Sequence, residues 1–232
     1  MTAKENNKLH VYLLAGVKTS TSIFTECMDK LSDRLSGDGV EATIEVLLPY
    51  GDMSRNLVHQ LIEVRSDLSN GRLARRIGGK YAFSKIKSSL PEGRRMLLIG
   101  HSGGGAAAYQ AARMLEVERE QTDFRIVQIG SPRIPILPKL QQKVSYFHAV
   151  DQSGKGIDPI CRLGSWGGWN KAANHIIRWN ARKYSPGHVE GVPTMGGHAD
   201  YFRHEHPFID QNSVCNLDKI MGRVHEWLKG WL

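Results

Sequence analysis

The chain has 232 residues, of which 41% are hydrophobic and 23% charged, a size and balance that suit a single α/β domain over 1–232 with its own buried core and exclude intrinsic disorder. Its net charge of +8 would suit an anionic partner, but lysine and arginine are spread along the chain and cluster densely only at Arg72-Leu73-Ala74-Arg75-Arg76; this is the pattern of a solvated face, and no nucleic-acid partner is expected. Cys27, Cys161 and Cys215 form an odd set without Cys-x-x-Cys spacing, which argues against a disulfide framework or a zinc site and points to a reducing, cytoplasmic compartment.

The first apolar run, Leu9 to Val17, follows a polar start containing Glu5 and lacks a cleavage-site pattern, so it reads as a strand and not as a signal peptide. Within it, 10–15 closed by Gly16 suits a strand buried on both faces of a parallel sheet. Ile23, Cys27, Leu31 and Leu35 recur every four residues and predict a helix stopped by Gly37; Ala42 to Leu48 reads as a second strand. Leu57, Val58, Leu61, Ile62 and Leu68 place an apolar stripe on a second helix started at Ser54 or Asn56. After the basic stretch, the strand 95–99 runs through Gly100 into an alanine-rich helix from Gly104 to Val117. Two more strands follow at 124–129 and 144–150, and strands alternating with helices predict a doubly wound, largely parallel sheet of about five or more strands. From Cys161 to Gly197 no clean periodicity survives, and this stretch reads as an insertion covering the site, with the tryptophans near 166–179 packing a lid or lining an acyl pocket. The chain closes on an amphipathic helix with Leu217, Ile220, Met221, Val224, Trp227, Leu228 and Trp231 on one stripe. No apolar stretch approaches the roughly 20 residues a membrane helix needs, so any membrane contact is expected to be peripheral.

Gly100-His101-Ser102-Gly103-Gly104 matches Gly-x-Ser-x-Gly between an apolar strand and a helix of small residues. In that context the glycines permit a sharp strand-to-helix turn that holds the Ser102 hydroxyl at the carboxyl edge of the sheet, at a helix N-terminus whose amides favour a developing oxyanion. A phosphate-binding loop would need Gly-Lys-Ser/Thr after the glycines, which is absent. Ser102 is the predicted nucleophile, and the Gly103 amide is a predicted oxyanion donor.

The chain resembles the α/β-hydrolases, and within them the class 3 (fungal-type) lipases. Besides the serine motif, Gln128-Ile129-Gly130-Ser131-Pro132-Arg133-Ile134 resembles that family's strand ending in Gly-Ser-Pro-Arg-Val, and Asp158-Pro159-Ile160 resembles its Asp-Pro-Val. The resemblance implies an α/β-hydrolase fold, a second oxyanion donor in the backbone of Val17 after the first strand, and a lipid or small-molecule ester as substrate, with no cofactor or metal.

That fold requires the order Ser, Asp or Glu, His. Asp151 at its strand end and Asp158 beyond a glycine-containing loop compete for the acid; Asp158 carries the resemblance and is favoured. For the base, His198 after Gly196-Gly197 precedes the last helix and is preferred over His204, His206 and the insertion's His175 and His188, while His101 abuts the nucleophile and reads as structural. His198-Ala199-Asp200 with His204-Glu205-His206 would offer metal ligands, but without a known ligand spacing. The predicted activity is ester hydrolysis through an acyl-enzyme on Ser102, with His198 as base and Asp158 as its orienting acid; a thioesterase or acyltransferase with the same triad, and an inactive binding module on the same fold, are the alternatives.

Overall fold

The computed structural model describes residues 7–69, 71, 73–91, 94–118, 123–171 and 177–232. Glu5, Arg72 and His175, singled out above, lie outside the described residues.

Strand β1 (Lys8–Leu14) leads through a 3₁₀ turn at Thr21–Phe24 into helix α1 (Thr25–Gly37), and β2 (Glu41–Leu47) pairs parallel beside β1. Helix α2 (Leu57–Asp67) starts at Asn56, whose side-chain oxygen accepts from the Val58 amide at 2.8 Å, the satisfaction of an orphan donor that makes Asn a good N-cap. Helix α3 (Ile77–Ser89) follows. Strand β3 (Arg95–His101), helix α4 (Gly103–Glu118), β4 (Phe124–Ile129) and β5 (Val144–Val150) supply the middle of the molecule. A short antiparallel pair, β6 (Gly168–Lys171) and β7 (Ile177–Asn180), precedes β8 (His188–Pro193), and α5 (Asn216–Leu228) ends the chain.

The main sheet has six strands in the order β2-β1-β3-β4-β5-β8, and every neighbouring pair is parallel. Side chains alternate across it as period two demands. Val11, Leu13, Leu97 and Ile99 face α1 and α5 through Leu31, Leu35, Leu217 and Val224. Tyr12, Leu14, Met96 and Leu98 face the other way, onto Ala82, Ile86 and the alanines of α4. Helices on both faces explain why β3 carries an unbroken apolar run: neither side of it meets water. The strand order reverses between β1 and β3, and a crevice beyond the carboxyl ends at that reversal is where an open α/β sheet binds ligands.

Three features add to what the sequence indicated. Helix α3 carries no clear sequence signal because it opens on Gly78-Gly79; a Cβ at Gly78 would lie 2.4 Å from the Tyr50 ring, and one at Gly79 2.4 Å from Gln110 Cβ. These glycines let α3 close on its neighbours, and their amides donate to the buried Asp67 carboxylate at 3.0 and 3.3 Å. The stretch 161–197 is not one insertion: it contains β8, the edge strand of the main sheet, whose Gly191 and Pro193 blur the alternation that marks a strand. The apolar stripe of α2 does not face the core. Its buried positions are Gln60, Val64 and Asp67, while Leu57, Val58, Leu61 and Ile62 are exposed.

Candidate active site

Ser102 follows β3 directly and opens α4, and its backbone is in the left-handed region at φ 55°. A non-glycine residue there is strained, and the surrounding bonds must hold it. The Ser102 amide donates to the Ile129 carbonyl at 3.0 Å, and the Ser102 carbonyl accepts from the Gly105 amide at 3.1 Å. The tight turn projects the hydroxyl out of the sheet edge.

Two other loops converge on it from the same edge. His198 lies beyond β8, and its Nε2 is 2.9 Å from Ser102 Oγ. Its Nδ1 is 2.8 Å from Oδ2 of Asp158, which lies beyond β5. Asp158 is buried. Its Oδ1 accepts from the Ile160 amide at 2.8 Å, while Oδ2 also accepts from the Tyr201 hydroxyl at 2.8 Å. Burial pushes the Asp158 carboxyl up, but the donors from His198, Tyr201 and Ile160 outweigh it and hold the group below the ordinary carboxylate range. With an ionised acceptor on Nδ1–H, Nε2 is the lone-pair nitrogen and faces the serine proton.

Asp151, the competing acid, is turned to its own loop. Its Oδ1 accepts from the amides of Ser153 and Lys155, each at 2.9 Å, and from the Ser153 hydroxyl at 2.7 Å, an Asx turn that leaves it no part in the His198 contact. His204 lines the cavity mouth and His188 meets Glu190 at 2.9 Å; His206 is exposed. His101 is buried beneath His198: the rings stack at 5.1 Å, and since a carbonyl can only accept, His101 Nε2–H donates to the His198 carbonyl at 3.1 Å. Burial first, and then the neighbouring His198, push the His101 pKa down to about 4, so it lies beneath His198 as a neutral ring. Asp200 accepts from the Gly197 amide. Among the described residues, no three His, Cys, Asp or Glu side chains are grouped to hold a metal ion.

The loop after β1 forms the other wall. A Cβ built on Gly16 would fall 2.6 Å from Ser102 Cβ and 2.9 Å from its Oγ, so only glycine allows this approach. Val17 lines the cavity beside Ser102 and Gly103. Lys18 adopts φ 50°, and its amide donates to Oε1 of the buried Gln60 at 3.0 Å. Gln60 Nε2 in turn donates to the carbonyls of Tyr50 and Asp52 at 3.0 and 2.9 Å, so one amide side chain from α2 ties both loops. The Tyr50 hydroxyl donates to Asp67 at 2.9 Å, with the Gly103 carbonyl 3.1 Å away. Gln60, Gly16 and Tyr201 had no motif to mark them in the sequence.

These groups line a cavity of about 650 Å³ walled by Val17, Ile23, Leu61, Val64, Ile160 and Phe202, with Lys18, Glu26 and Arg203 at its rim. Its volume is in the range of small-molecule sites. Of the described residues in 161–197, only Leu163 reaches it. Trp166 is buried against Tyr146 and Arg133, and Trp169 pairs with Trp179 at 5.2 Å; none of the three lines the cavity.

No protein-family model matches the chain, and no curated protein does. Among solved structures it is similar to the thioesterase RedJ from the prodiginine biosynthetic pathway in Streptomyces coelicolor, with a TM-score of 0.52 over 95% of this chain and 90% of that one at 13% identity. The fold is an α/β-hydrolase fold. A cutinase-like protein from Cryptococcus sp. is also similar, covering 100% of this chain and 95% of that one at 13% identity and a TM-score of 0.43. On the α/β-hydrolase fold, the site after β3 and the loops after β5 and β8 occupy the carboxyl edge of the sheet.

Proposed function

We propose that the chain is a serine hydrolase of carboxylic esters that works through an acyl-enzyme on Ser102. The observation that carries the reading is the continuous contact from Asp158 Oδ2 to His198 Nδ1 at 2.8 Å and from His198 Nε2 to Ser102 Oγ at 2.9 Å, opening into a cavity with apolar walls. His198 Nε2 takes the hydroxyl proton as Oγ bonds to the ester carbonyl carbon, and Asp158 steadies the imidazolium that forms. The tetrahedral oxyanion lies toward the amides of Gly103, at the positive end of α4, and Val17. Collapse breaks the ester C–O bond, and the alcohol leaves with the proton from His198. Water, deprotonated by His198, then releases the acid and restores Ser102.

The same acyl-enzyme serves oxygen esters and thioesters, and RedJ is itself a thioesterase, so the test measures both linkages. Turnover of p-nitrophenyl esters of graded chain length and of matching acyl thioesters is compared with labelling by a fluorophosphonate. Labelling of the wild type but not of Ser102→Ala, with ester turnover lost by roughly 10⁴-fold or more in the variant, is the expected result. Absence of labelling in the folded wild type would leave a binding module, and a thioester preference across the panel would replace the ester reading.

A further inference from the structure

The outward stripe of α2 has no counterpart among the described residues. Val58 is 61% exposed, Ile62 58%, Leu61 51% and Leu57 42%, with Met53 just before the helix at 59%. At about 100° per residue, Leu57, Val58, Leu61, Ile62 and the exposed Arg65 fall in one sector of roughly 140°, and Gln60 and Asp67 are buried outside it, with Val64 buried between them and Leu57. An amphipathic helix normally turns such a stripe inward; here the buried side is spent on Gln60 and Asp67, which hold the loops of the site. A contiguous exposed apolar patch of this kind marks a contact surface.

We infer that this face of α2 docks the protein on a lipid bilayer bearing anionic headgroups, with the cavity of Ser102 opening toward the acyl layer. The patch runs into the cavity through Leu61, which belongs to both, and the exposed Leu163 stands on the cavity wall as well. The charge on this side is net positive and complementary to an anionic surface: Arg65 lies inside the apolar sector, and the cavity rim carries Lys18 and Arg203 against one carboxylate, Glu26. Basic side chains flanking protruding apolar ones are the combination that holds a helix in the interfacial plane. A second copy of the chain fits less well, because each copy carries a net charge of +8 and the two would repel. This rests on the reading of Ser102 as an esterase nucleophile, and the test keeps the two apart.

Full-length protein is sedimented with phosphatidylcholine vesicles made with and without phosphatidylglycerol, using Ser102→Ala so that lipid is not consumed, and hydrolysis of soluble p-nitrophenyl butyrate is measured in parallel with Ser102 present. Binding should be stronger to the anionic vesicles. Val58→Ser with Ile62→Ser should weaken binding roughly tenfold or more, and Arg65→Glu should weaken it chiefly on the anionic vesicles, while both keep butyrate turnover and the circular dichroism of the parent. Equal binding by the double variant, equal binding to both vesicle types, no vesicle binding at all, or a dimer that the double variant dissolves would each overturn the assignment. Loss of butyrate turnover in the parent, with vesicle binding intact and sensitive to α2, would defeat the nucleophile reading and leave the surface standing.

Discussion

Tyr201 donates its hydroxyl proton to Asp158 Oδ2 at 2.8 Å, the same oxygen that receives Nδ1–H of His198. The tyrosine oxygen also accepts from the Ala149 amide at 2.9 Å, so it is anchored to β5 and fixes the carboxylate through the oxygen that meets the histidine. Hydrogen bonds to a charged acceptor contribute about 1.5–3 kcal/mol each. Tyr201→Phe should therefore lower kcat by about tenfold with KM little changed, since the carboxylate keeps its charge but loses its aim. Steady-state kinetics on a soluble ester, beside thermal melts, check this; an unchanged kcat in a destabilised variant would make Tyr201 a packing residue only.

Asp158→Asn should cut kcat by up to about 10⁴-fold with little change in KM, because an amide at that position no longer fixes the imidazole tautomer that receives the serine proton. Asp151→Asn should be mild, since its contacts are those of a turn to Ser153 and Lys155. Kinetics of both variants on one substrate decide between them. The reverse ranking would return the acid to Asp151.

Much of this arrangement was legible because local and global signals agreed. The strand from Arg95 has both faces buried, and the alanine-rich α4 needs close packing, so the Gly-x-Ser-x-Gly between them could be placed on a strand-to-helix turn. The bounds of β4 and β5 followed from the β-branched and aromatic residues of their runs, which Arg125, Gln128, Ser145 and His148 interrupt without ending. Where a rule of pattern was broken, the reading failed for a physical reason. Gly78-Gly79 weakens α3 as a helix but is required by Tyr50 and Gln110. Strand β8 carries a glycine and a proline at the sheet edge, where they are tolerated. Helix α2 shows a regular stripe, and nothing in a single helix says which side of it meets the core. Gln60 and Tyr201 act through partners 42 and 43 positions away, a distance no local spacing encodes.

Gly16→Ala tests the approach of the loop after β1 to the serine. The added methyl would sit 2.6 Å from Ser102 Cβ, 2.9 Å from Oγ and 3.3 Å from the Gly103 amide nitrogen, so either the loop or the hydroxyl must move. A displacement near 1 Å at a reacting atom costs on the order of 10²-fold in rate. Turnover and fluorophosphonate labelling should fall together by about that factor while far-ultraviolet circular dichroism is kept. Wild-type turnover in the folded variant would remove the loop from the oxyanion side of the site.

His101 makes stability depend on pH with a definite sign. Its pKa drops from the ordinary 6.5 to about 4 in the folded chain, through burial first and the adjacent His198 second, so the unfolded chain binds the proton more readily. A depressed histidine leaves stability intact above about pH 6.5 and removes it as the pH falls from there toward about 4. Between pH 6.5 and 5 the loss is about 2 kcal/mol, at about 1.4 kcal/mol per unit. Urea unfolding of the wild type at pH 7 and pH 5 measures the slope, and His101→Gln should flatten it, because glutamine keeps an N–H for the His198 carbonyl without a group that titrates in this window. The variant should lose less stability on acidification than the wild type by about that 2 kcal/mol, whatever its stability at pH 7. An identical acid dependence in both proteins would show that His101 does not carry the effect.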